Sequence, residues 1–234
     1  MKRKLPIYTF VVIVFLLVAI SIGSYKIQYD KKPGLKKDVL NAEYIYSFYV
    51  SSKPQIQNNP YYGDPSASIT VTAFLDIESE ASRYFMKEIF PKLEEDYINT
   101  GKVKFFHKTY ITLEDIEQKN NNFKYAISLN CLNKIDRDNY YPIFFDLFST
   151  NLEDINILLE KYDISINNYD TCINENNLDE IYQESSEIER LGLVGINQRF
   201  YIGIAGIDNT VLDGIPKYAK FQRTLRQYEL QIGT

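Results

Sequence analysis

Histidine and cysteine are scarce in this chain of 234 residues: His107 is the sole histidine, and Cys131 and Cys172 are the two cysteines. Three such residues cannot supply a Cys/His cluster with metal-site spacing, so a structural zinc site is not expected. No other metal and no cofactor is expected either, since no motif for one is read. A histidine-dependent nucleophilic centre has a single candidate base. His107 falls in the strand-like run Val103-Lys104-Phe105-Phe106-His107, where a structural role is the expectation. Tryptophan is absent, and the aromatic content consists of 20 Tyr and 14 Phe. Core packing and amphipathic surface account for aromatic residues of these types. Positive charge is short as well: the formal net charge is −5, and no long basic run follows Lys4. Nucleic acid is therefore not an expected partner. No internal repeat or low-complexity segment stands out.

What the chain does have, at its start, is a long apolar run. Met1-Lys2-Arg3-Lys4 precedes uncharged residues from Leu5 to Tyr25, most of them Ile, Val, Leu and Phe. About 20 such residues cross the hydrocarbon core of a bilayer as a helix. A secretory signal has a shorter apolar region and a small-x-small cleavage site, for which Ala19-Ile20-Ser21 and Ser21-Ile22-Gly23 are weak candidates. An uncleaved signal-anchor is the expectation, with a mature N-terminus near Gly23 as the alternative. Lys2, Arg3 and Lys4 keep the N-terminus cytoplasmic and put the remainder outside, so a single-pass protein of the cell membrane is expected. Residues 26–62 read as a tether, broken by Lys31-Lys32-Pro33-Gly34 and Ser51-Ser52-Lys53-Pro54. A domain of residues 63–234 follows, long enough for one sizeable core.

That domain is organised around Ile69 to Phe85. Ile69-Thr70-Val71-Thr72-Ala73-Phe74-Leu75, after the turn residues Gly63-Asp64-Pro65, has the β-branched and aromatic composition of a strand. Asp76-Ile77-Glu78-Ser79-Glu80-Ala81-Ser82 is rich in residues favoured at helix N-caps and first turns, and a helix continues through Arg83 to Glu88. A strand that breaks directly into a helix can hold a reactive group in the positive field of the helix N-terminus. Phe74-Leu75-Asp76-Ile77-Glu78-Ser79-Glu80-Ala81-Ser82 resembles the Phe-x-Asp-x-x-Cys-Pro-x-Cys pattern of DsbA-like thiol-disulfide oxidoreductases, thioredoxin-fold proteins of the bacterial envelope. Ser79 and Ser82 fall on the two cysteine positions and Glu80 on the proline between them. Leu191-Gly192-Leu193-Val194-Gly195-Ile196-Asn197 is similar to the segment that carries the family's cis-proline, with Asn197 in the proline's place. Asp213-Gly214-Ile215-Pro216, with Tyr218 and Phe221, resembles the start of the family's last helix.

The resemblance implies an α/β, thioredoxin-like fold with an inserted helical subdomain. The insertion is expected over about residues 114–191, as four to five helices between a second strand at 102–110 and a third at 199–204. It also implies an emptied site. Thiol-disulfide exchange needs a thiolate attacking sulfur and a second thiol to resolve the mixed disulfide, and serine supplies neither. Helix capping is the structural reading of Ser79 and Ser82; a serine nucleophile with Glu78 or His107 as base is the sharper one. Cys131 and Cys172 align with cysteines common in the family's helical insertion, and an even pair outside the membrane usually forms a disulfide. A structural bridge and a redox-active pair are both readings of these two residues. The function expected is that of a redox-inactive, membrane-anchored protein that binds an extracytoplasmic protein or peptide in a chaperone-like or scaffolding role. The alternative is an oxidoreductase using Cys131 and Cys172.

Overall fold

Seven consecutive residues that favour extended backbone, Ile69–Leu75, form strand β1, and all seven are buried. Their burial on both faces places them at the centre of a sheet. In this computed structural model, residues 53–148, 152–175, 178–196, 198–204 and 209–233 are described. The expected apolar span at residues 5–25, and Asn197, lie outside them. Among the described residues no helix is long and apolar enough to cross a membrane.

β1 pairs in parallel with β2 (Val103–Thr109), Ile69 opposite Val103, and antiparallel with β3 (Gln198–Ile204), Ile69 opposite Ile204. A short β4 (Thr210–Asp213) completes the sheet in the order β2-β1-β3-β4. The parallel pair requires a crossover, which helix α1 provides over residues 80–98. Two π-helical stretches, Phe85–Ile89 and Glu94–Ile98, interrupt α1. The first ends two residues before Pro91, which removes an N–H from the ladder and crowds the carbonyl four residues back; a widened turn relieves that conflict. Gly63 stands at φ +111, and a Cβ there would lie 2.8 Å from the Val103 carbonyl oxygen. Glycine is thus required where the chain turns in beside β2.

Among the described residues, six helices lie between β2 and β3: α2 (Leu113–Gln118), α3 (Asn121–Ile135), α4 (Tyr140–Leu147), α5 (Ile155–Lys161), α6 (Ile166–Glu175) and α7 (Asp179–Arg190). The last helix, α8 (Tyr218–Ile232), returns to the sheet. The expected helical insertion is present, divided more finely than the apolar periodicity suggests because the chain breaks after Gln118, Ile135 and Lys161.

Period-two alternation along the strands separates two cores. Ile69, Val71, Ala73 and Leu75 of β1 join Phe105, Phe200, Phe85 and Phe221 in the larger one, where the Phe85 and Phe200 rings are 4.5 Å apart. Phe74 and Tyr201 face the other side with Ile188, Leu191 and Leu193. Each fully buried aromatic of this kind contributes about 2 kcal/mol or more relative to exposure. Cys131 of α3 and Cys172 of α6 form a disulfide, with Cα atoms 5.8 Å apart across a sequence separation of 41. Closing a loop of that length stabilises the fold by about 4 kcal/mol on chain-entropy grounds.

Candidate functional site

β1 ends at Leu75, and the next residues turn sharply into α1. Asp76 makes the turn: its Oδ1 accepts from the Glu78 N–H at 2.9 Å, and its carbonyl accepts from the Ser79 N–H at 3.0 Å. Ser79 is the N-cap, in extended backbone with φ −73 and ψ 140, and its Oγ accepts from the Ser82 N–H at 3.1 Å. The same hydroxyl donates to the Asp76 carbonyl at 3.0 Å and lies 3.0 Å from Ser82 Oγ. Ser82 is fully buried. The two serines are therefore side by side at the helix start, with their polar atoms satisfied locally as a cap requires.

Neither candidate base meets them. The Glu78 carboxylate accepts from Asn121 Nδ2 at 2.9 Å. His107 is buried on β2, where Nδ1 lies 3.0 Å from the Tyr140 hydroxyl and the ring sits 4.1 Å from that of Phe144. Asp76, the nearest buried carboxyl in sequence, has its pKa raised by burial, with the charges of Asp115 and Glu78 adding to the effect. Its carboxylate bonds the Glu78 backbone N–H rather than a serine hydroxyl. No group is poised to take a proton from Ser79 or Ser82 among the described residues.

Two loops approach the same end of the sheet. Tyr110, whose N–H bonds the Leu75 carbonyl, donates its hydroxyl to the Leu193 carbonyl and accepts from the Gly195 N–H. Gln198, with its amide nitrogen turned toward them, donates to the carbonyls of Ala81 and Gly214 at 3.3 and 2.8 Å. These bonds tie the loops carrying Val194 and Ile215 to the serine turn, and both side chains are exposed, at 63% and 57%. Arg199 bonds both oxygens of Asp213 and the Leu191 carbonyl, which fixes β4 and the preceding loop against β3.

A sequence profile of the thioredoxin family matches residues 55–198. The chain belongs to that family. Disulfide bond formation protein D of Bacillus subtilis is 39% identical over 56 residues, 24% of this chain and 25% of that protein. In this match the chain thus spans about a quarter of its curated relative. Among solved structures, oxidised BdbD from Bacillus subtilis superposes with a TM-score of 0.62 at 20% identity, covering 76% of this chain and 97% of the other. Wolbachia pipientis α-DsbA1 does so with a TM-score of 0.60 at 20% identity, covering 76% and 94%. At these identities the likeness is one of fold. The DsbA-like resemblance read from residues 74–82 is borne out by these relatives.

A second polar region, which the sequence reading did not single out, lies against β2, one of the two edge strands. Lys108 Nζ and Glu187 Oε2 are 2.9 Å apart with both side chains more than nine-tenths buried. Glu187 Oε1 also accepts from the Gln55 N–H at 2.5 Å, which fastens the segment before β1 to α7. Beside this pair is a cavity of about 320 Å³, lined in part by His107, Lys108, Asn130, Asn133 and Glu184. Burial raises the Glu184 carboxyl to about 7, and burial with the neighbouring Lys108 charge lowers His107 to about 3. One signal was present in the sequence: Glu180, Glu184 and Glu187 share one face of a helix by their spacing, and Lys108 interrupts an apolar strand.

Proposed function

We propose that this protein is a redox-inactive, DsbA-like member of the thioredoxin family that acts by binding an extracytoplasmic protein or peptide. In this reading residues 5–25 anchor it in the cell membrane with the N-terminus cytoplasmic. Residues 26–62 form the tether, and residues 63–234 the domain held outside. The observation that carries the reading is the pair Ser79 and Ser82, hydroxyls 3.0 Å apart at the start of α1, where exchange chemistry would need two thiols. Glu78 and Glu80 add negative charge at the same turn, the opposite of what lowers a thiol pKa. Val194 and Ile215 offer exposed apolar contact beside the serines, and a peptide laid there would cover them.

The test is insulin reduction and scrambled-ribonuclease refolding with the full-length chain, where background rates are expected. Turnover above background overturns the proposal. If Cys172→Ala then abolishes that turnover, the chemistry belongs to Cys131 and Cys172. The geometry of the turn is checked separately by Ser79→Cys with Ser82→Cys, which should close a disulfide across the helix start yet exchange slowly. Adding Glu80→Pro should raise the rate.

A further inference from the structure

Among the described residues, five buried side-chain polar atoms lack a hydrogen-bond partner, and three of them gather at one place. Asn130 Oδ1, Asn133 Oδ1 and His107 Nε2 have no hydrogen-bond partner among the described residues, and all three residues line the cavity beside β2. His107 is 3% exposed, so its Nε2 is a buried group left unsatisfied, which costs free energy unless something meets it. When Nδ1–H donates to the Tyr140 oxygen, Nε2 is an acceptor, and the asparagine oxygens are acceptors in either case. The two asparagine oxygens therefore call for donors, and His107 Nε2 joins them in the tautomer that keeps its proton on Nδ1.

The charges point the same way. Lys108 is paired with Glu187, and Glu180 with Lys134 at 3.1 Å. Glu184 forms no ion pair among the described residues, although it lines the cavity between those two glutamates on α7. The groups that face it are Lys108, Glu180, Glu187, His107 and Tyr140; burial and the Lys108 charge keep His107 neutral, and a tyrosine hydroxyl is uncharged at neutral pH in any case. An ionised Glu184 thus has no cation of its own: Lys108 and Arg190 both meet Glu187, the latter at 3.4 Å, and Lys134 meets Glu180.

We propose that this cavity binds a small organic cation, a primary ammonium or guanidinium compound, with Glu184 as its counter-ion and Asn130, Asn133 and His107 accepting its N–H groups. Size separates this ligand from a bare metal ion. A volume of about 320 Å³ falls at the lower end of small-molecule sites, whereas one ion would leave most of it empty. Among the described residues, moreover, no group of three or more His, Cys, Asp or Glu is arranged to hold a metal. A guanidinium or ammonium presents several donors on one charge, which matches scattered acceptors around a single carboxylate. The segment carrying Gln55 and Asn58 covers one side of the cavity, held by Glu187 and by Arg137, which donates to the Asn58 carbonyl at 3.0 Å.

The experiment is calorimetric titration of the full-length chain at pH 8 with agmatine and with putrescine, against sodium chloride of equal ionic strength and against calcium chloride. Saturable one-to-one binding of at least one amine is expected, together with a rise in Tm. Glu184→Gln should weaken binding tenfold or more while keeping the fold. Gln183→Trp, a change at the exposed rim of the cavity, should weaken it without removing any proposed contact. Absence of saturable binding by both amines overturns the proposal. So does binding that Glu184→Gln leaves unchanged, or saturable binding of calcium alone.

Discussion

The turn after β1 and the cavity beside β2 lie at the ends of neighbouring parallel strands, and they are built on opposite terms. At the turn, every polar atom of Ser79 finds a partner within four residues, and Ser82 is sealed beneath it. Beside β2, Lys108 meets Glu187 from 79 positions further along the chain, while three polar atoms meet no partner among the described residues. The place with a recognisable motif is quiet in the sense that its serine hydroxyls are spent on each other and on the backbone; the place without one holds the buried charge. Local satisfaction produces a cap, whereas charge assembled from distant segments produces a site that can respond to pH and to ligands.

The contrast can be broken most severely at Lys108. Lys108→Met leaves Glu187 buried with only the partly exposed Arg190, 3.4 Å away, as a cation, and a loss of about 3 kcal/mol in denaturant unfolding is expected. A loss below 1 kcal/mol would mean that water reaches the pair and that the two regions differ little.

Titration sharpens the difference next. The folded pKa of Glu184 is raised to about 7, so the fold favours the neutral form. Its stabilising contribution is complete below the unfolded value near 4.5 and is lost as pH rises from there through about 7. Glu184→Gln should remove that slope and gain on the native chain by about 2–3 kcal/mol at pH 8 relative to pH 4.5. His107 acts in the other direction. Its folded pKa is lowered to about 3, so stability falls as pH drops from about 6.5 toward 3. Parallel unfolding curves for native and Glu184→Gln protein at all pH values would overturn the assignment.

The smallest effect belongs to the quiet region. Ser79→Ala removes one cap bond and should cost about 1 kcal/mol, independent of pH between 5 and 8. A pH-dependent loss, measured the same way, would show that the turn is coupled to Asp76 and is not merely structural.

Much of the quiet region was legible in the sequence because its forces are local. β1 falls at Ile69–Leu75 as its composition suggests, and Ser79 caps the helix that follows. The pairing of Cys131 with Cys172 rested on the family resemblance, and the bridge is present. The loops holding Val194 and Ile215 were legible only as motifs, since the bonds through Tyr110 and Gln198 join segments more than 80 residues apart. The cavity was not legible. A lysine in a strand pattern reads as solvent-facing, and nothing near Lys108 in sequence announces a carboxylate on α7. The fastening of residues 53–62 was hidden for the same reason: Tyr62 bridges to Phe105, and Tyr141 donates to the Pro60 carbonyl, across gaps that no periodicity spans.

That fastening has a mechanical side. A pull applied at residue 53 does not load the sheet at once. It meets the Arg190 bond to the Lys53 carbonyl, then Gln55 on Glu187, Asn58 on Arg137 and Pro60 on Tyr141, and only afterwards the Tyr62 bridge to β2. Stretched from that side, the domain would peel one anchor at a time, each yielding at low force, before the parallel strands bear shear. Residues 53–60 are in this sense a shock absorber, and the first anchors to give way are those that cover the cavity.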